Sequence, residues 1–433
     1  MDADVTDSPG TPGEPNVPPQ PLPTPRRRWL RWVALGTSVV VLGAAGAGWY
    51  LYKKLDGNIR TDSATTSELK RYEAERPPAI VHDAQNILLI GSDNRGGGNG
   101  KYGRDSGTQR SDTTILLHVA ADRRSATGMS IPRDLVTGIP ACRKSDGSRS
   151  KPQSAQFNWA FEFAGAACTI RTVEQMTGVR VDHHMIVDFN GFKKIVNAVD
   201  GVDLCLAEPI KDKEAHLDLP AGRQVLRGED ALGYVRARYS IGDGSDTERM
   251  DRQQEFLGAL VKKVQSDGVL LNPAKLYPVL DAATSSLTTD EGLDTLKDLY
   301  NLVRGMRGIP SDQIRFLTVP RQPNANDPNR DELVQPAADK LFKRLRDDRP
   351  VTVRADAGKD KKKPGGSDGS DRSTDGSTDE AVSDSRSAEK AEKGMDETSS
   401  GPNSPSGSPT PSYRGTTADH DMCGQKADKR YSH

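Results

Sequence analysis

The residues best suited to chemistry are arginines and aspartates that recur in pairs. "NILLIGSDNR" ends an apolar run on Asp93 and Arg95, "RSDTTILL" opens a second with Arg110 and Asp112, and "GMSIPRDL" closes a third on Arg133 and Asp134. Further on, "VRARYSIGDGSDTERMDRQQ" carries Arg236, Arg238, Arg249 and Arg252 in a chain whose formal net charge is only −1. The positive charge is local and aimed at an anion. Planar guanidinium groups take phosphate oxygens two at a time, and carboxylates beside them hold a hard, oxygen-seeking Mg²⁺ against the same phosphates. A pyrophosphate explains both signs at once. Arg249 and Arg252 stand three residues apart, the spacing of one helical face. Each Arg–Asp pair taken alone is also what a loop salt bridge looks like, and Arg249 and Arg252 could pair instead with Asp246 and Asp251. The glycine-rich "GGGNGKYGRDSG" is not a Walker A loop, because Arg95 stands where glycine is needed and Tyr102 where Ser or Thr would meet the metal.

The elements that must position these residues read as one α/β domain. Apolar runs bounded by turn residues predict strands at 86–90, 114–119, 128–131, 184–188, 202–206 and 314–319. Helical periodicity predicts helices at 156–163, 170–176, 191–199, 229–237, 248–265, 273–283, 292–303 and 331–346. Their alternation implies a central mixed sheet with helices on both faces over residues 80–348. The Arg–Asp pairs fall at strand ends, where open α/β sheets bind ligands. His183 and His184 are no metal pair, since neighbours on a strand point to opposite faces; at most one is expected near a structural hydrogen bond.

Outside this domain the composition changes. Residues 1–25 are rich in Pro, Asp, Thr and Gly and read as a disordered cytoplasmic tail. In the segment 26–54, Trp32 to Leu51 carries no charge and at about 1.5 Å per residue is long enough to cross a ~30 Å hydrocarbon core. Arg26, Arg27, Arg28 and Arg31 outnumber Lys53 and Lys54, with Trp32, Trp49, Tyr50 and Tyr52 at the interfaces. This predicts a single-pass cell-membrane anchor, N-terminus cytoplasmic and the rest extracellular; a cleaved signal peptide is the alternative. Residues 55–79 read as a linker and 349–433 as a low-complexity extracellular tail. In that oxidising location Cys142 and Cys168 are the first candidates for a disulfide and Cys205 with Cys423 the second. Spacing leaves the connectivity open, and no cysteine has zinc-site spacing.

Eight stretches, "NILLIGSDNR", "RSDTTILL", "SIPRD", "FNWAF", "TVEQMTG", "VDFNGFKKIVNAVDGVD", "LPAGRQVLRGEDALGYVRAR" and "DTERMDRQQ", occur in an order and spacing that resembles the LytR-CpsA-Psr family of cell-wall ligases, densely from about Ile87 to Gln254. The resemblance implies a membrane-anchored phosphotransferase that moves a glycopolymer phosphate from a polyprenyl pyrophosphate carrier onto peptidoglycan. It also implies Mg²⁺ on Asp93 and Asp112, and Arg95, Arg110, Arg133, Arg236 and Arg238 on the pyrophosphate. Arg249, Arg252 and Gln253 would line or buttress the site, with Asp246 fixing the arginines and Asn158 among the substrate contacts. An apolar lipid tunnel is implied too, for which Phe157, Trp159, Phe161, Phe163, Ile195 and Val196 are candidates, core packing being the alternative for each. Asp134 or Asp93 is a candidate base. Many relatives carry Lys where this chain has Gln156. A polyprenyl pyrophosphate hydrolase, a non-catalytic wall-polymer binder and a regulator acting on transcription remain alternatives. The last is weakest: residues 1–25 hold no helix-turn-helix pattern, and no nucleic-acid partner is expected.

Overall fold

The computed structural model describes residues 26–92, 111–144, 146–237, 246–266, 272–354, 412–421 and 423. Two units are distinguished, residues 1–57 and 58–433. The first is helix α1 (Arg26–Asn58), of which Trp29–Asn58 is apolar enough to cross a membrane, with a mean hydropathy of 1.5.

The second unit opens with β1 (Arg60–Thr61) and α2 (Ser63–Arg71). Asp62 caps α2 by accepting from the Thr65 N–H at 3.0 Å, as a short acidic residue does at a helix start. Residues 58–79, within the stretch expected as a linker, belong to the second unit and include β1 and α2. Next come β2 (Gln85–Ser92), β3 (Ser111–Val119), β4 (Ala126–Ile131), β5 (Val136–Ile139), β6 (Gln153–Gln156) and α3 (Trp159–Thr177). The two helices predicted at 156–163 and 170–176 are one element interrupted at Ala164 and Gly165, whose backbone angles are not helical. It begins three residues later than expected because Gln153–Gln156 pair with β5. It ends at Gly178, whose φ of +65° glycine adopts without steric cost.

Then follow β7 (His183–Asp188), α4 (Phe189–Ala198), β8 (Val202–Leu206), β9 (Ile210–Asp212), β10 (Leu217–Leu219), β11 (Gly222–Leu226), α5 (Gly228–Arg236), α6 (Asp246–Ser266), α7 (Pro273–Ser286) and β12 (Leu287–Thr289). After α8 (Leu296–Met306) come β13 (Ile314–Thr318), β14 (Arg321–Pro323), β15 (Asp331–Leu333), α9 (Ala337–Arg346), β16 (Thr352–Arg354) and β17 (Ser412–Thr417). The helix expected over 331–346 is shortened because Asp331–Leu333 pair with β14 and Pro336, which has no N–H to give, stands at the N-cap.

The central sheet is mixed, as expected, in the order β1-β12-β7-β2-β3-β4-β13-β17-β16. Its outer strands depart from expectation. Composition predicts a low-complexity tail over 349–433, yet β16 and β17 join the sheet, β17 antiparallel to β13 and parallel to β16. Composition hid them, since two short strands do not lift the average of a long polar stretch. Both disulfides form: Cys142–Cys168, with Cα atoms 5.6 Å apart, and Cys205–Cys423, 5.7 Å apart.

Strand alternation decides where the core sits and where it does not. From β2, β3 and β4, Leu88, Ile90, Leu116 and Met129 face α3 and α9, packing with Ile170, Val173, Leu341 and Phe342 in the main buried core. The intervening residues face the other way. Along the β4–β13 end that face is covered by α6, through Leu257 and Val261 on Phe316 and Ile314. Along β2, β3 and β7 it is left hollow.

His183 and His184 both make structural hydrogen bonds, one more than expected. His183 Nδ1 lies 3.1 Å from Asp290 Oδ1 and His184 Nε2 lies 3.4 Å from Asp62 Oδ2. Burial pushes the Asp62 carboxyl up, but the His184 and Thr65 hydrogen bonds outweigh it and hold it at about 2.

Candidate functional site

The hollow is a cavity of about 730 Å³ between that sheet face and α4, α5 and α6. Its deep wall is apolar: Leu89 and Ile115 from the sheet, Met185 and Val187 from β7, Phe192, Ile195 and Val196 from α4, and Phe256, Leu257 and Leu260 from α6. Its polar lining is Asp112, Arg133, Asp134, Gln156, Asn158, Asp188, Asp212, Glu214, Arg236, Arg249 and Gln253. The shape suits an amphiphile, with a charged group among the arginines and a hydrocarbon behind it.

Strand ends build the polar part. The β2–β3 ladder slips between Gly91 and Ser92: Gly91 pairs with Thr113 and Ser92 with Ser111, leaving Asp112 as the extra residue of a bulge. Asp112 and Thr113, though consecutive, both line the cavity, which is how a bulge re-aims a side chain. Arg133 follows β4 and joins the carboxylates. Its Nη1 donates to Asp112 Oδ1 at 2.9 Å and its Nε to Asp134 Oδ2 at 3.2 Å. Gln156, at the end of β6, donates from Nε2 to Asp134 Oδ1 at 2.9 Å. Both Asp134 oxygens thus accept hydrogen bonds, and the residue fixes Arg133 and Gln156.

The arginine segment divides its tasks. Arg236, the last residue of α5, lays its guanidinium over the Phe189 ring, 4.8 Å from the centroid. Arg249 and Gln253, one turn apart on α6, line the cavity. Arg252 does not, although the spacing placed it with Arg249. It is buried and donates from Nη2 to the Ala237 carbonyl, while Gln253 donates from Nε2 to the Val235 carbonyl at 3.1 Å. Carbonyls at a helix end lack intrahelical partners and favour a cation, so these bonds pin the end of α5 that carries Arg236. Gln254, which nothing in the sequence marked, is buried and donates to Thr318 Oγ1 at 2.9 Å and Ser130 Oγ at 3.3 Å, fastening α6 to the sheet.

The expected residues separate as follows. Asp112, Arg133, Asp134, Asn158, Arg236, Arg249 and Gln253 converge on the cavity, as do Ile195 and Val196. Phe157 and Phe161 do not line it; they are buried in the main core with Ile170 and Val173 of α3 and Leu341 and Phe342 of α9. Trp159 and Phe163 pack beside the Cys142–Cys168 bridge. Asp93, Arg95, Arg110 and Arg238 lie outside the described residues, and so does the side chain of Asp246. The sequence reading missed Asp188, Asp212, Phe192, Phe256, Leu257 and Leu260 on the cavity wall. The apolar ones sit at helical spacing and look like core until a gap is found in front of them.

The fold is a mixed α/β sheet with an amphipathic cavity at its strand ends, lined by arginines, carboxylates and apolar side chains. The LytR_cpsA_psr family model matches residues 52–347, and the chain belongs to that family. It is 31% identical to the cell wall biosynthesis protein LcpA of Corynebacterium glutamicum over 67% of this chain and 60% of that protein. It is 26% identical to the polyisoprenyl-teichoic acid–peptidoglycan teichoic acid transferase TagT of Bacillus subtilis over 66% of this chain and 85% of that protein. Among solved structures, protein gbs0355 of Streptococcus agalactiae shares the fold, with a TM-score of 0.50 at 21% identity, covering 61% of this chain and 87% of that one. The chain spans 60% and 57% of the lengths of LcpA and the related LcpB of the same organism.

Proposed function

We propose that the protein is a membrane-anchored phosphotransferase that moves a glycopolymer phosphate from a polyprenyl pyrophosphate carrier onto a peptidoglycan hydroxyl. The observation that carries the reading is the cavity, whose apolar depth suits a polyprenyl chain and whose mouth gathers Arg133, Arg236 and Arg249. The acceptor oxygen forms a bond to the glycan-bearing phosphorus and its hydroxyl proton passes to the leaving phosphate, while the bridging P–O bond breaks and polyprenyl phosphate leaves. Arginines held before the substrate arrives stabilise charge on the transferring and leaving groups without reorganising at the moment of reaction. Asp134 positions Arg133, Arg252 positions the end of α5 that bears Arg236, and the apolar wall excludes water from the lipid side.

A divalent cation fits the donor set. Among the described residues the cavity wall offers no Cys or His, and its anionic groups are carboxylates, the ligands of hard cations such as Mg²⁺ rather than of zinc. Asp112, together with Asp93, would hold it. Bound there, Mg²⁺ would neutralise phosphate charge. α1 suits a single-pass anchor, and the excess of basic residues before it supports a cytoplasmic N-terminus with the catalytic unit outside, on the side of both substrates. The two disulfides suit an oxidising, exported location.

The test is to incubate the full-length chain in detergent with labelled lipid-linked glycan, peptidoglycan fragments and Mg²⁺. Label is expected on the fragments. Release of free glycan phosphate instead would identify a hydrolase, and stable retention of unconverted lipid a binding protein.

A further inference from the structure

At the start of α3 the fold leaves one buried carboxamide unused. Asn158 is 5% exposed and forms part of the cavity wall beside Arg133 and Gln156. Its backbone is fixed: its N–H donates to the Arg133 carbonyl at 3.1 Å, and the preceding Phe157 N–H to the Leu135 carbonyl at 2.8 Å. An asparagine just before a helix ordinarily turns its side chain onto the first free N–H groups. Asn158 does not. Its backbone is already helical, at φ −65° and ψ −18°, and no side-chain bond caps α3. Its Oδ1 is buried without a hydrogen-bond partner. Such a group is costly, and native proteins retain one where something absent from the bare fold completes it.

A carboxamide oxygen takes a hydrogen-bond donor or a hard cation, and at this site the carboxylates are the stronger ligands for the cation. Ionised phosphate oxygens only accept, and a polyprenyl chain offers no polar hydrogen. The donors on a lipid-linked glycan and a wall fragment are saccharide hydroxyls and amide N–H groups, and on a sugar ring the hydroxyls are the more numerous. We infer that Asn158 binds a sugar hydroxyl at the mouth of the cavity, adjoining the phosphate-binding Arg133. The inference rests on the phosphotransfer reading and deepens it by giving the site a saccharide contact apart from its anion contacts. The sugar comes either from the glycan on the carrier or from the wall acceptor.

Full-length protein in detergent, titrated calorimetrically with three probes, separates these sources. The probes are a polyprenyl pyrophosphate bearing no sugar, the same lipid bearing a sugar, and a soluble peptidoglycan disaccharide fragment, each with Mg²⁺. Asn158→Leu is expected to bind the sugar-free lipid as wild type does. It should bind one saccharide probe about tenfold more weakly, the scale of one lost hydrogen bond, and the affected probe names the source. Its melting temperature should not fall, because a buried oxygen without a donor has been removed; a residue serving only the fold would lower it. Asn158→Ala, which cannot clash, should repeat the binding pattern. Weaker binding of the sugar-free lipid or of Mg²⁺, with saccharide binding intact, overturns the inference, as does unchanged binding of all three probes. Wild-type protein that binds the sugar-free lipid but no saccharide overturns it alone. Saccharide binding through Asn158 with no transfer of label overturns the phosphotransfer reading alone.

Discussion

Arg133→Lys keeps the charge at the centre of the polar network and removes its geometry. Arg133 satisfies two carboxylates through different nitrogens, Nη1 on Asp112 at 2.9 Å and Nε on Asp134 at 3.2 Å. A lysine offers one Nζ, which can meet one of them well but not both. The loss is one charge-assisted hydrogen bond, about 1.5–3 kcal/mol, which as transition-state stabilisation is roughly 10- to 150-fold in transfer rate. Folding should feel much less. The Arg133 and Asp112 side chains are 21% and 34% exposed, and a partly solvated pair contributes about 1 kcal/mol or less to stability, a shift of about 2–4 °C in melting temperature. The assay is the initial rate of label transfer to peptidoglycan fragments at saturating Mg²⁺, beside thermal unfolding of the same preparations. Full activity in the lysine variant, or a loss of stability large enough to account for the lost rate, would refute a positioning role and leave the network a structural salt bridge.

Two further outcomes follow from the cavity and its helices. Glu255 accepts from Tyr234 Oη at 3.1 Å, and burial, outweighing that bond, pushes its carboxyl up from 4.5 to about 7. The folded state therefore keeps a proton that the unfolded chain releases, so this stabilisation is full below pH 4.5 and is lost as pH rises to 7, by at most about 3 kcal/mol. Glu255→Gln should flatten that fall, and parallel wild-type and variant melting curves from pH 4.5 to 7.5 would contradict it. Ile195→Trp should fill part of the apolar depth: excluding one five-carbon unit forfeits up to about 4 kcal/mol of burial. Binding of a long polyprenyl pyrophosphate should weaken strongly while a short-chain analogue binds as before; equal effects on both would mean the chain does not enter the cavity.

How much of this was legible depended on whether the signal was local. β2 shows in "NILLI" because apolar residues on both faces read as a continuous run, and α6 shows in its helical periodicity. The Arg133–Asp134 pair at the end of β4 is likewise a local pattern, and the structure joins it to Asp112 from another strand. Three things were not legible. The bulge that turns Asp112 toward the cavity exists only in the pairing of β2 with β3. Whether Arg252 lines the site or buttresses it was not legible, because its partner, the Ala237 carbonyl, is a backbone group that no side-chain pattern reveals. Phe157 and Phe161 are candidates for an apolar wall, whereas it is Phe256 and Leu260 that line the cavity. A gap between helices and sheet is a property of the packing, and an apolar residue facing it is of the same type as one facing a neighbour.

The C-terminal strand shows how far from the cavity its support extends. α6 carries Arg249 and Gln253 on its cavity side, and a helix holds such groups in place only if its other side is held as well. Gln254 fastens it to β4 and β13. The rest of the backing comes from residues near the end of the chain. Arg414 of β17 donates from Nη2 to Asp251 Oδ2 at 2.6 Å. A Cβ added at Gly258 would stand 3.1 Å from the Ala418 Cα, so β17 and the turn after it lie close against the helix. β17 sits between β13 and β16 rather than at the sheet's edge, and Cys423 is bonded to Cys205 of β8, itself a contributor to the small apolar unit around α4 and α5. The polar stretch between β16 and β17 therefore begins and ends on strands of one sheet. The residues after it, in β17 and the turn that follows, back the helix that carries Arg249 and Gln253.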